Sequence, residues 1–398
     1  MTDIPTARTP WYRPMSPRGR DEPHRASTPL ELLFDLCFVV AIAKVGFQVE
    51  QQFAHGHTAA GIIGYGTVFF AIWWAWMNFT WFASAYDNDD VPYRLSVLVQ
   101  IAGSLVLAAG VAPVFDPDHS DFSVLVIGYV IMRLATVSNW LRAGSSDPAR
   151  RRTAHRYTLG VVGVQALWIS RLALPEGVQL PSFLLLVALE LAVPALAERT
   201  GITPYHPSHI AERYGLFTVI VLGESVTAVV RTLEAAVHEA EHKAGLIGLA
   251  AAGLLILFAM WWVYFDRSAV GMLETLNSSL LWGYGHYLIF SAIAAVGAGI
   301  NVRVEYDVGE AHIPPIGAAL AVSVPVAVFL VVVWALHLRH QHTPIASASF
   351  PVAAVLVLGA AVTGAPVQIT AIIMVTLVVV TVATSRAGSA SVTPVGTP

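Results

Sequence analysis

The chain has 398 residues, 56% of them hydrophobic and only 12% charged, with a net charge of −4 and a mean hydropathy of +0.65. Soluble domains carry about 25% charged residues, so the composition excludes an ordinary soluble enzyme, and its slight acidic balance gives no basis for a nucleic-acid partner. Cys37 is the only cysteine, which excludes an intramolecular disulfide and a cysteine-based zinc centre.

Residues 1–29 hold Arg8, Arg13, Arg18, Arg20 and Arg25 among several prolines and lack the apolar core of a signal peptide. They predict a disordered basic tail. Beyond the tail, a ruler of roughly 20 mainly apolar residues per crossing predicts about twelve spans. These lie near 30–52, 59–86, 94–113, 121–142, 157–174, 180–197, 212–231, 245–267, 278–300, 313–338, 345–363 and 366–384. Residues 385–398 predict a second short tail. The expected fold class is all-α, a polytopic transmembrane helical bundle whose first partner is the lipid bilayer.

Arginine and lysine set the expected orientation. With the amino terminus in the cytoplasm, the connections on that side hold sixteen of the 22 cationic residues and the opposite side holds four, Arg171, Arg231, Lys243 and Arg303. Both termini are therefore expected to be cytoplasmic, with "ARRRTAHR" (149–156) as the strongest anchor.

Two pairs of segments suggest an internal repeat. "AIWWAWMNFTWF" (71–82) parallels "AMWWVYFDRSAV" (259–270), and "LELLFDLCFVVAIAKV" parallels "IAERYGLFTVIVLGESV", each of the second pair opening on an acid, Glu31 and Glu212. The predicted organisation is two parallel six-helix repeats, 30–200 and 206–384, because an even helix number keeps both halves in one orientation.

A charge at the bilayer centre costs on the order of 2.5–3.5 kcal/mol on insertion scales, so ionisable residues inside spans are candidate site residues. Glu31 and Asp35 are four apart and share a helix face. Asp35 and Lys44 are nine apart, half a circle round and about 13.5 Å along the axis, so Asp35 needs a partner on another helix, a wet cavity or a proton. Lys44 reads as a side chain reaching for the interface, and Glu31 doubles as an acid that stabilises a helix start beside Ser27 and Thr28. Glu224 sits in "VIVLGESVTAVV" beside Gly223, which would permit close backbone approach, and Ser225 and Thr227. That setting suits a cation or proton site, a structural pair with Arg133, or a hydrogen bond across helices. Arg133 and Glu190 are both mid-span and read as a buried pair. His286 follows "WGYG" at a helix start, as a ligand, a proton carrier or an interfacial histidine.

Outside the spans, Asp89, Asp90 and Arg94 lie in "YDNDDVPYR" (86–94), where Asp90 and Arg94 are spaced for a local pair. "FDPDHSD" (115–121) lacks the spacing of a calcium loop and reads as solvated. "HPSHIAE" spaces His206, His209 and Glu212 three apart, but Pro207 is expected to break a helix there, and no metal site is assigned. No nucleotide-binding, nucleophile-elbow or zinc-protease motif is present, and no cofactor is expected. The last three spans contain no acid and read as scaffold.

The motifs "ELLFDLCFVVAI" (31–42), "WWAWMNFTWFASAYDNDDVPYRL" (73–95), "ERYGLFTVIVLGES" (212–225), "WWVYFD" (261–266) and "GYGHYLIF" (283–290) resemble, in order, those of the bacterial low temperature requirement protein A family. Leu33 stands where that family's run has a first Phe. The resemblance implies a multi-pass protein of the bacterial inner membrane. It marks Asp35, Trp73, Trp74, Asp89, Asp90, Arg94, Gly223, Glu224 and His286 as family-type positions, and it implies neither a substrate nor a catalytic assignment.

The favoured reading is a secondary transporter or channel-like permease, with Asp35, Glu224, Glu31 and His286 along a cation- or proton-sensitive path between the halves. Arg133, Glu190, Arg94, Asp89 and Asp90 would support it as ion-pair residues. The alternatives are a membrane enzyme acting on a lipid or isoprenoid at the cytoplasmic face, and a non-catalytic envelope protein for low-temperature adaptation. The sequence sets no oligomeric state.

Overall fold

The structure, a computed structural model, describes residues 10–19, 22, 25–116, 119–239, 241–268, 270–339 and 343–390, with side chains to 384. Arg8, Arg20, residues 117–118 of the acidic loop and most of the second tail lie outside the described residues.

Every regular element among the described residues is helical. Twelve helices correspond to the twelve predicted spans. They are α1 Pro29–Ala54, α2 Thr58–Tyr86, α3 Val91–Ala109, α4 Ser123–Ser146, α5 Arg151–Arg171, α6 Gln179–Ala197, α7 Pro207–His238, α8 Lys243–Phe265, α9 Leu276–Asp307, α10 Pro315–Val333, α11 Pro344–Ala360 and α12 Pro366–Ala390. One-turn helices punctuate the connections, and a π-helical turn, Trp334–Leu338, extends α10. Ten of the helical segments are long and apolar enough to cross a bilayer, which makes the chain a multi-pass membrane protein. The other two of the twelve differ for visible reasons. Helix α5 opens on Arg151 and Arg152 and also carries Arg156, and α11 is only 17 residues long.

The starts of these helices are written in the sequence. Pro29, Pro207, Pro315, Pro344 and Pro366 each occupy a first helical position. There the missing N–H is no loss and the fixed φ suits the helix. Pro207 therefore begins α7 instead of breaking it, so α7 starts five residues before the predicted span. Asp90 caps α3 by accepting from the Tyr93 N–H at 2.9 Å, and Thr275 and Thr343 cap α9 and α11 in the same way.

The chain forms two compact units, residues 1–44 with 67–214 and residues 45–66 with 215–398. They differ from the predicted halves because α1, α2 and α7 each contribute to both. In unit 1, α3 packs on α4, α4 on α5 and α5 on α6. In unit 2, α9 packs on α10, α10 on α11, α11 on α12 and α12 on α8.

Small residues let α3 and α4 touch backbone to backbone, as in membrane bundles generally. A Cβ at Gly128 would lie 2.3 Å from the Leu107 backbone nitrogen, and one at Gly110 2.3 Å from that of Leu125. Gly128→Ala must push the helices apart. The expected cost is about 1–3 kcal/mol, read as a lowered unfolding midpoint in detergent. Gly223, by contrast, would meet nothing within 4 Å, so the close approach expected there is absent.

The described part of the basic tail packs instead of being disordered. Met15 and Arg25 are buried. The Arg25 guanidinium donates to the Ala83 carbonyl at 2.6 Å and to that of Ser84, among the last carbonyls of α2. Those carbonyls have no partner within their helix, and a cation at a helix carboxyl end is favourable. Arg18 N–H donates to Ala85 O and Arg13 N–H to Asp90 Oδ2, both at 2.9 Å.

Candidate functional site

Unit 1 carries a buried ionic cluster where α1 and α7 begin. Its first member, Glu31, closes a capping box. The Thr28 N–H donates to Glu31 Oε2 at 2.8 Å and the Glu31 N–H to Thr28 Oγ1 at 3.3 Å. Its other oxygen, Oε1, lies 2.9 Å from Arg213 Nη1 and 3.3 Å from His209 Nε2. One turn deeper, Asp35 Oδ1 accepts from Arg213 Nη2 at 2.5 Å and from the Trp76 indole at 2.7 Å, and Oδ2 accepts from Arg213 Nε at 3.1 Å. Glu31, Asp35, His209 and Arg213 are all essentially unexposed. One guanidinium fork thus bridges two carboxylates, the arrangement only arginine supplies.

Asp87 and Arg25 extend the cluster. Arg25 Nη2 lies 4.0 Å from Asp87 Oδ2 and Arg18 Nη1 3.9 Å from it, while Arg18 is itself paired with Glu22 at 2.6 Å. Burial, then the nearby Glu31 charge, push the Asp87 carboxyl up to about 6 against the pull of Arg25 and Arg18. The folded state therefore holds this proton longer than the unfolded one. The associated stability is fully present below about pH 4, falls as pH rises to about 6, and is gone above it; two pH units correspond to about 3 kcal/mol. Asp87→Asn is expected to stabilise the protein by an amount that grows over that window and is flat above it, measured as unfolding midpoints from pH 4 to 8.

The acidic turn is built differently from the expected local pair. The Asp90 carboxylate does not pair with the Arg94 guanidinium, because it caps α3 and also accepts from Arg142 at 2.7 Å. Burial works to raise the Asp90 carboxyl, but the Arg13 and Tyr93 N–H groups and Arg142 outweigh it and hold it below the usual range. Arg94 takes Asp89 instead, at 2.7 and 2.9 Å, from an Asp89 backbone at φ 47°.

A second buried centre in unit 1 joins Arg133 and Glu190 at 2.9 Å. Glu190 accepts four side-chain donors, the Trp74 indole at 2.7 Å, Arg133, the Tyr129 hydroxyl at 3.0 Å and the Trp168 indole at 3.2 Å. Arg133 also donates to the Tyr129 hydroxyl. Arg133 is thus committed to Glu190 and is not the partner of Glu224. His206, His209 and Glu212 do not gather. The His206 ring accepts the His209 N–H at 3.4 Å and meets the Glu22 carbonyl at 3.0 Å, while Glu212 accepts from Ser27 N–H at 3.1 Å. Among the described residues no three His, Cys, Asp or Glu side chains form a metal site.

In unit 2, Glu224 is partly buried on α7, and the Thr227 hydroxyl donates to its backbone carbonyl at 2.6 Å. His286 is fully buried instead of interfacial. Its Nδ1 meets the Trp282 carbonyl at 2.7 Å and its Nε2 the Tyr264 hydroxyl at 2.9 Å. The backbone contact makes Nδ1 the donor, so Nε2 accepts from Tyr264. His337, in the π-helical turn, accepts the Trp282 indole N–H at 2.8 Å, and its ring centroid is 5.3 Å from that of His286. Sequence reasoning missed three residues. Arg213 sits at the edge of the apolar run and reads as one of the cytoplasmic cationic residues, His209 stands out only through its spacing to His206 and Glu212, and Glu50 looks like part of a polar helix end. Glu50 is buried in unit 2 and accepts from Asn301 at 2.7 Å.

Two comparisons bear on this arrangement. The family model for the Bacterial low temperature requirement A protein (LtrA) matches residues 26–384. The chain is 24% identical over 319 residues to the uncharacterized protein RA0937 of Rhizobium meliloti (strain 1021), covering 76% of this chain and 74% of that one. The family model's span includes Glu31, Asp35, Asp87, His209 and Arg213 and begins one residue after Arg25.

Proposed function

We propose, since the chain belongs to the bacterial low temperature requirement A (LtrA) family, that it is an inner-membrane permease whose proton- or cation-sensitive element is the ionic cluster of unit 1. The observation that carries this reading is a charge count. Arg25 and Arg213 face three buried carboxylates, Glu31, Asp35 and Asp87, with Arg18 neutralised by Glu22 and Asp89 by Arg94. The cluster is one positive charge short of neutrality. The Asp87 carboxyl, pushed up to about 6 by burial, takes that charge as a proton. Buried ionisable groups in membrane helices mark ion and proton pathways more often than scaffolds.

The same order of neighbours, α3–α4–α5–α6 and α9–α10–α11–α12, supports two parallel six-helix repeats, an architecture that recurs in transporters. Both termini face the cytoplasm in this reading, which puts the unit 1 cluster near that face. Glu224, on the first helix of the second repeat, is the corresponding group of unit 2.

Proteoliposomes holding a pH-sensitive dye test the reading under an imposed potassium diffusion potential. Proton or cation flux is expected from the full chain. Asp35→Asn should cut it at least tenfold, and Asp87→Asn should remove its pH dependence near 6. Flux that is unchanged in both Asp35→Asn and Glu224→Gln would sink the mechanism.

A further inference from the structure

We propose that unit 2 binds one acyl chain of a membrane phospholipid carrying a primary-ammonium headgroup, the chain in a cavity walled by α1, α2, α9 and α10 and the ammonium at Glu50 and Glu305. This goes beyond the permease reading and rests only on the chain's place in a bilayer.

The cavity measures about 360 Å³, and its walls are apolar. Ala298 and Ala321 keep the side-chain volume low where α9 meets α10. At Gly299 a Cβ would fall 2.1 Å from the Ala321 carbonyl oxygen, so no larger residue can close the gap there. On one rim Ile62 is 58% exposed and Val324 42% exposed. On a helix that crosses a bilayer such side chains face hydrocarbon, so the cavity borders lipid and an acyl chain is the solute at hand. Lining residues run from Thr58 to Tyr65 and from Ala295 to Val302, seven steps along each helix, or about 10 Å of depth along the membrane.

Charged groups gather at the end marked by Val49 and Val302. Glu50 adjoins the lining residue Val49, and Glu305 lies one turn beyond Val302. Asn301 donates to Glu50 Oε2 at 2.7 Å, and Arg231 reaches the same oxygen at 3.5 Å. The Glu50 and Glu305 carboxyls contact each other, with Glu310 and His55 close by. Glu305 Oε2 is buried and accepts from no donor, while Arg303 is taken by Asp307 at 2.7 Å. Glu50 and Glu305 share one proton across their contact, and that pair with Glu310 still outweighs Arg231 by one negative charge, which leaves an acidic mouth. That mouth repels a purely anionic headgroup and matches an ammonium, with Arg231 placed for the adjoining phosphate.

The test uses the full chain in vesicles containing a phosphatidylethanolamine with a diazirine in its acyl chain, and in matched vesicles with the phosphatidylglycerol analogue. Crosslinked peptides are mapped by mass spectrometry. The ethanolamine probe is expected to label 45–65 and 295–325 at least fivefold above other lipid-facing helices. Ala298→Phe should abolish that excess, and Ala321→Phe does so from the opposite wall. Glu50→Gln with Glu305→Gln should erase the preference over the glycerol headgroup while keeping the label. Even labelling of all outer helices, or an excess that survives a folded filling variant, overturns the proposal. If neither filling variant folds, native mass spectrometry of the wild type decides. One retained ethanolamine lipid supports the site, and none retained overturns it.

Discussion

Arg213→Ala is expected to be the most damaging single substitution in the protein. It leaves Glu31 and Asp35, both buried, facing each other without the guanidinium that bridges them. Breaking a buried ion pair from one side costs about 3–5 kcal/mol because the remaining charge has no water to return to; here two charges remain. The variant should fail to give a monodisperse peak in detergent. Arg213→Lys keeps the charge but not the fork. One ammonium can replace either the 2.9 Å contact to Glu31 or the pair of contacts to Asp35, so an intermediate unfolding midpoint is expected. The decisive comparison is the neutral triple variant Glu31→Gln, Asp35→Asn, Arg213→Met. If the arginine serves mainly to neutralise the acids, the triple variant recovers most of the lost stability. If it is no more stable than Arg213→Ala, the ionic account of the cluster is wrong.

Glu190→Ala should have the next largest effect. Removing this carboxylate strands Arg133, whose Nε and Nη1 already lack partners, and it removes the acceptor of the Trp74 and Trp168 indoles and the Tyr129 hydroxyl. The expected loss is about 3–5 kcal/mol for the charge, with each orphaned donor adding about 1 kcal/mol or more. Arg133→Met in the same chain should restore only part of it, because the indole donors remain unsatisfied. A double-mutant cycle on Arg133 and Glu190, followed by thermal unfolding, measures the coupling. Coupling near zero would mean that the pair contributes nothing beyond its separate contacts.

Much of this architecture is legible in the sequence. Apolar runs of the right length locate the helices because lipid admits few alternatives to a helix. Arg133 and Glu190 declare themselves because both lie mid-span, where an isolated charge is too costly to leave alone. Arg213 did not, for a specific reason. An apolar window places the start of α7 at 212 and leaves Arg213 at the edge, whereas Pro207 starts the helix and carries Arg213 into its second turn. A proline read as an opener instead of a breaker would have found it. The packing of the tail was hidden for a different reason. Composition predicts disorder, but the carbonyls that Arg25 satisfies belong to α2, more than fifty residues away. Glu50 was missed because the last turn of α1 looks like a polar helix end, and its partners Asn301 and Arg231 come from distant segments.

The capping box at Thr28 has a consequence of its own. Glu31 holds the first turn of α1 with one oxygen and Arg213 with the other. Fraying that turn therefore loosens the hold on Arg213, and by thermodynamic reciprocity anything that tightens the Arg213 contact must anneal the turn. The first turn of α1 and the ion pairs it makes with α7 then share one free-energy balance. A protease site introduced near Ser27 would report, by its rate of cutting, on the protonation of the buried carboxylates where α1 and α7 begin.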